Sequence, residues 1–131
     1  MTHLFLIRGL PGAGKSTLGN LLCPGATFSA DDWFELFNNG KFDKSKLTQA
    51  HDWCQQSVRR AIERKLGALA VANTFTEERE LRPYLDMVSE YPNIRVYVIV
   101  VEGGHGSTKE VPTKTIEHMA KRFKHRLGGW E

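Results

Sequence analysis

The strongest constraint on this chain is the stretch Gly9-Leu10-Pro11-Gly12-Ala13-Gly14-Lys15-Ser16-Thr17, set between the apolar run Leu4-Phe5-Leu6-Ile7 and the residues Leu18 and Leu21-Leu22. It fits the phosphate-binding loop G-x-x-x-x-G-K-[ST]. A loop that wraps a polyphosphate must turn successive backbone N–H groups inward, and glycine reaches the required angles without a Cβ clash. Gly9, Gly12 and Gly14 supply that freedom. Lys15 then offers a point charge to the β- and γ-phosphates and Ser16 a hydroxyl to Mg²⁺, while the helix beginning there directs its positive end at the anion. Residues Gly9 and Pro11 to Thr17 are therefore read as a nucleoside triphosphate site, with ATP as the ligand and Ser16 as the metal-side residue.

Bulk properties exclude several classes. With 131 residues, 40% hydrophobic and 25% charged, the chain suits one core, and residues 1–131 are expected to form a single domain. No apolar run approaches the ~20 residues of a membrane span, and the N-terminal run lacks a charged flank, so the expectation is a cytoplasmic protein with no membrane partner. Cys23 and Cys54 show no paired spacing and are expected to be reduced, packed thiols without a role. A net charge of +3 favours anionic ligands only weakly.

In chain order, residues 3–8 predict a strand buried on both faces, and about Lys15 to Leu22 a helix stopped by Pro24-Gly25. Ala26 to Ser29 predict a short strand ending at Asp31-Asp32, which faces the nucleotide because ligands in open α/β sheets sit at the carboxyl ends of strands. A helical turn over Asp32–Phe37 follows. Leu47, Ala50, Cys54, Val58, Ala61 and Ile62 make one apolar stripe on a helix from about Ser45 to Leu66. Ala68 to Asn73 is a third strand, with Asn73-Thr74 on the crevice side. Thr76 is expected to start a helix that Pro83 kinks or restarts, and Ile94 to Val101 is the fourth strand. The glycine-rich residues 102–111 predict a lid loop, and Pro112 to Leu127 a last helix with a basic flank of Lys114, His118, Lys121, Arg122 and His125. Alternating strands and helices predict an α/β P-loop NTPase fold, a doubly wound, mostly parallel sheet of about four strands with helices on both faces.

Neither strand three, ending in Asn73, nor strand four, ending in Glu102, gives the apolar run plus aspartate of a motor or GTPase. The carboxylate pair after the second strand stands instead where a kinase places the base for its acceptor hydroxyl. Asp31 is the candidate catalytic base, and Asp32 is expected as a helix cap.

Taken together, Gly9 to Thr17, Ser29 to Phe34, Phe42-Asp43, Ala50-His51, Asn73 to Thr76, Pro83-Tyr84, Val111-Pro112 and Met119 to Phe123 resemble the small ATP-binding kinases related to the kinase domain of phage polynucleotide kinase. The resemblance implies that Asp31 is the general base for a nucleic-acid 5′-hydroxyl. It departs where the polynucleotide kinases carry a basic residue after the aspartates and arginines in the lid. Here Phe34 follows the pair, and no arginine lies between Arg95 and Arg122. Stabilising transition-state charge then falls to Lys15, Mg²⁺ and one of Lys109, His105 or Arg122. Three functions remain open: an ATP- and Mg²⁺-dependent kinase of a nucleic-acid 5′-hydroxyl, a kinase of a nucleotide, nucleoside or other small metabolite, and a non-catalytic nucleotide-binding module.

Overall fold

In the computed structural model of the chain, residues 1–102 are described, and their four strands form one sheet in which every pairing is parallel. The strands β1 (Thr2–Arg8), β2 (Thr27–Phe28), β3 (Ala68–Asn73) and β4 (Ile94–Val100) stand in the order β2-β3-β1-β4. The two central strands carry the longest buried runs, Leu6 to Arg8 and Leu69 to Asn73, as continuous apolar segments require when both faces are covered.

Helices cover both faces because the connections change direction. The step from β1 to β2 runs one way along the sheet, carrying α1 (Lys15–Leu22) to one face. The steps from β2 to β3 and from β3 to β4 run the other way, so right-handed crossovers bring α3 (Leu47–Glu63) and α4 (Glu78–Val88) to the opposite face. The Tyr84 hydroxyl of α4 meets the Cys54 sulfur of α3 at 3.3 Å, as helices sharing a face must. A short α2 (Asp31–Phe37) and one 3-10 turn (Lys44–Lys46) precede α3. The expected stripe Ala50, Cys54, Val58, Ala61 and Ile62 is buried, with Leu47 partly so.

Four local expectations are corrected. The long helix begins at Leu47 and ends at Glu63, because Asp43 first holds a tight turn through the Ser45 N–H (3.0 Å) and hydroxyl (2.7 Å), and Lys65 takes a left-handed φ of 59°. Ala30, with no capping side chain, occupies the N-cap of α2, so Asp32 is no cap and lies with Asp31 in the first turn, where carboxylates favour the helix dipole. Glu77, not Thr76, is the N-cap of α4; its side chain and that of Glu80 form a capping box, and the Thr76 hydroxyl bonds to the Glu80 carboxylate (2.9 and 3.1 Å). That helix also runs unbroken through Pro83. Proline inside a helix costs about 3 kcal/mol, but the buried face of Leu81, Tyr84 and Met87 spans it on both sides and holds both segments against the core.

No helix among the described residues is long and apolar enough to cross a membrane. Cys23 and Cys54 are both free and buried.

Candidate functional site

The parallel register brings the carboxyl ends of all four strands to one edge: Arg8 lies opposite Asn73 and Val100, and Phe28 opposite Val71. The phosphate loop, Asp31 and Asn73-Thr74 follow directly on those strand ends. Gly9 leaves β1 with its N–H on the Thr74 carbonyl (3.2 Å), and Val101 N–H bonds to Arg8 O (2.8 Å). A Cβ on Gly9 would stand 2.6 Å from the Val101 carbonyl oxygen, so close passage of the β4 end demands glycine there.

Gly14 is needed for a different reason. It is the N-cap of α1 with φ of 95°, a left-handed geometry that L side chains rarely adopt, and a Cβ there would meet no atom within 4 Å. Gly12 has φ of 84°. No side chain caps α1, and its first-turn N–H groups have no acceptor within the helix. With the exposed Ser16 and Thr17, this is a donor set suited to a polyphosphate. The Lys15 ammonium donates to the Leu10 carbonyl at 3.0 Å, folded back along the loop. Pro11 and Ala13 continue the loop, and Ala13 N–H bonds to Leu10 O (3.1 Å).

Asn73 locks the second part of the site. Buried at the end of β3, its Oδ1 accepts the Ala30 N–H at 2.9 Å, while Nδ2 faces the Cys54 sulfur at 3.9 Å. The Ser29 hydroxyl oxygen accepts the Asp31 N–H (3.1 Å). The residues before and at Asp31 are thus fixed by one side chain from β3 and one from the end of β2. Burial pushes the Cys54 thiol up to about 11, outweighing its hydrogen bonds with Tyr84 and Asn73. This thiol is therefore a neutral packing group.

Asp31 lines a cavity of about 120 Å³ with Leu47, His51, Thr74, Thr76 and Glu80; Asp32 is not among its lining residues. Burial holds the His51 imidazole below its ordinary pKa, against the opposing pull of Glu80, Asp31 and Asp52. Sequence reasoning gave no site role to His51 or Glu80. His51 sits one residue from the buried stripe, at the i+4 position from Leu47, which was the available signal.

A buried guanidinium braces the edge. Arg8, fully buried, donates from Nε to the Phe75 carbonyl (2.9 Å) and from Nη2 to the Thr76 carbonyl (3.3 Å). Phe75 has a left-handed φ of 47°, a conformation that costs a non-glycine residue on the order of 1–3 kcal/mol and clusters at functional sites. Its ring is buried edge-on to Tyr84 at 5.7 Å.

Lys109, Arg122, His105 and nearly all of the expected lid lie outside the described residues. Among those residues no cluster of three His, Cys, Asp or Glu side chains suits a metal. Mg²⁺ commonly takes few protein ligands beside phosphate oxygens, and the exposed Ser16 at the start of α1 is the residue that could hold one.

Comparisons with known proteins agree on the fold. The chain is 30% identical over 134 residues to NEDD4-binding protein 2 of Homo sapiens, and the match covers 90% of this chain and 8% of that protein. It superposes on a chain of the Pnkp1/Rnl/Hen1 RNA repair complex with TM-score 0.57 and 20% identity, covering 92% of this chain and 36% of that one. On the Mycobacterium tuberculosis APS kinase CysC in complex with AMPPNP and APS the values are 0.53 and 14%, over 97% and 79% of the two chains. A sequence model of the AAA domain matches residues 4–107, and the chain belongs to that family, with a P-loop, kinase-like fold.

Proposed function

We propose that the chain, read as one domain, transfers the γ-phosphoryl group of ATP to a hydroxyl acceptor, most simply a nucleic-acid 5′-hydroxyl. The observation that carries this reading is Asp31, which lines the cavity at the carboxyl end of β3, the strand paired with β1, while Asp32 does not. In the proposed reaction the Asp31 carboxylate takes the proton of the acceptor hydroxyl as its oxygen bonds to the γ-phosphorus. The bond to the β–γ bridging oxygen breaks and ADP leaves. Lys15 exchanges the Leu10 carbonyl for phosphate oxygens, and the N–H groups of the loop and first turn of α1 hold the remainder. Ser16 would hold Mg²⁺, which would supply neutralising charge at the phosphates. Further positive charge would come from Lys109, His105 or Arg122.

The nucleic-acid acceptor is supported by similarity to a chain of an RNA repair complex. A second reading, a nucleoside or other small neutral hydroxyl compound, draws on the cavity itself. Its charged lining is Asp31 and Glu80 with a histidine held toward neutral, which suits hydroxyl groups better than phosphates.

Labelled ATP, offered with a 5′-hydroxyl oligonucleotide, a nucleoside and a sugar, tests both readings. Label on the oligonucleotide that disappears with Lys15→Ala is the expected result. Label on the nucleoside alone favours the second reading, and no transfer to any acceptor by a protein that binds ATP contradicts both.

A further inference from the structure

One exposed surface has no part in the site described above. Leu36 and Phe37, at the end of α2, are 65% and 60% exposed, far more than large apolar side chains of a packed helix. Phe37 does not stand alone. Its ring lies 6.0 Å from that of Trp53 on α3 and 5.9 Å from that of Trp33, and both tryptophans are half-buried. The three rings form an aromatic cluster, Phe37 tilted by 43° to Trp33 and edge-on to Trp53 at 75°, whose base rests on the core through Trp33 and Phe34, 5.2 Å apart and edge-on.

Positive charge is fastened to its rim. Asn38, the residue after Phe37, donates from Nδ2 to the Lys41 carbonyl (2.6 Å) and accepts the Lys46 ammonium at Oδ1 (3.1 Å). Lys44 lies between them and is exposed. The segment Lys41–Lys46 thus presents three lysines against one carboxylate, and that carboxylate, Asp43, is engaged by Ser45. Glu35 and Asp52 are the exposed acids nearby, and the Glu35 carboxylate reaches toward the Gly40 turn.

We propose that Trp33, Phe37 and Trp53 form a stacking platform for the unpaired bases of a single-stranded nucleic acid, with Lys41, Lys44 and Lys46 on its phosphates. Aromatic faces bordered by cations are how sequence-tolerant single-strand binders work, since every base offers a π-face. Placement agrees. Asp31 opens α2 and Phe37 closes it, a separation of about 9 Å along the helix axis. A strand whose terminal hydroxyl meets Asp31 would lay its next bases along the rings. The inference rests on the nucleic-acid reading of the acceptor and names its form, an unpaired 5′ end.

The test is binding without turnover. A 3′-fluorescent oligothymidylate of about ten nucleotides is titrated against wild type, Phe37→Ala, Phe37→Tyr and Lys41→Ala in the absence of ATP, with sedimentation of each protein. Phe37 is exposed enough for its replacement to leave the fold intact, which circular dichroism checks. The expected result is a loss of affinity of about 5- to 150-fold for Phe37→Ala, recovered by Phe37→Tyr. Lys41→Ala should reduce the dependence of log affinity on log salt by about one. Equal affinity of wild type and Phe37→Ala overturns the platform, as does failure of wild type to bind. So does a change of oligomeric state in Phe37→Ala without a change in oligonucleotide affinity, which would make the patch a protein contact. A protein that binds the oligonucleotide through Phe37 yet transfers no phosphate keeps the platform and removes the kinase reading instead.

Discussion

Replacing Asn73 by alanine removes a side chain that ties the end of β3 to the start of α2. Its Oδ1 accepts the N–H of Ala30, and Ala30 is only 5% exposed, so the variant leaves a buried donor without that acceptor. Such a group costs about 1–3 kcal/mol. The Nδ2 contact with the Cys54 sulfur, at 3.9 Å, is long and adds little. A loss of about 2 kcal/mol, divided by a urea m-value of about 1–3 kcal/mol per M, lowers the unfolding midpoint by about 1 M. Activity should fall further than stability explains. Asp31 follows Ala30 directly, and a misplacement of about 1 Å in a reacting group can cost about 100-fold in rate. The phosphate loop is untouched, so ATP affinity should stay within about threefold. Urea unfolding followed by tryptophan fluorescence, with ATP calorimetry and transfer kinetics on the same protein, reads all three quantities. An unchanged midpoint, or an ATP affinity that falls as far as the transfer rate, would refute the argument that Asn73 positions Asp31.

The two loop glycines should fail differently. Gly9→Ala drives a methyl group to 2.6 Å from the Val101 carbonyl and should cost about 1–3 kcal/mol of stability by overpacking. Gly14→Ala meets no atom within 4 Å and should cost only its left-handed strain, about 1–2 kcal/mol, while weakening ATP binding; thermal melts and calorimetry separate the two effects. His51 predicts a pH dependence. Because burial lowers its native pKa, the unfolded chain takes up the proton first as pH falls below about 6.5, so His51 makes stability decline between there and its lower native value. His51→Gln should flatten that part of a urea-midpoint profile, and an unchanged slope would show that other groups set it.

The parts of the site legible in the sequence are those whose chemistry is local. A phosphate loop needs glycines and a lysine in one short stretch, so residues 9–17 are readable before any fold is known. Strand ends follow from apolar runs, which is why β3 begins and ends at Ala68 and Asn73 as expected. What stayed hidden depends on contacts between distant segments. Arg8 reads as the polar end of a strand, yet its guanidinium is fully buried against the carbonyls of Phe75 and Thr76, 67 and 68 residues away. Phe75 is an aromatic residue forced into a left-handed turn, against its own preference, by those contacts and by Tyr84. Pro83 is the same lesson with the opposite sign: a local helix breaker overridden by a buried face. His51 and Glu80 reach the cavity from separate helices, and only the packing of α3 against α4 brings them together.

The central claim is that Asp31 removes the acceptor's proton while the phosphate loop holds ATP. Its most direct test is Asp31→Asn, with ATP affinity by calorimetry and transfer from labelled ATP to the best acceptor on the same preparation. The account predicts ATP affinity within a few-fold of wild type and a transfer rate lower by about 10²-fold or more. Transfer at the wild-type rate by Asp31→Asn, with Asp32→Asn inactive, would contradict it.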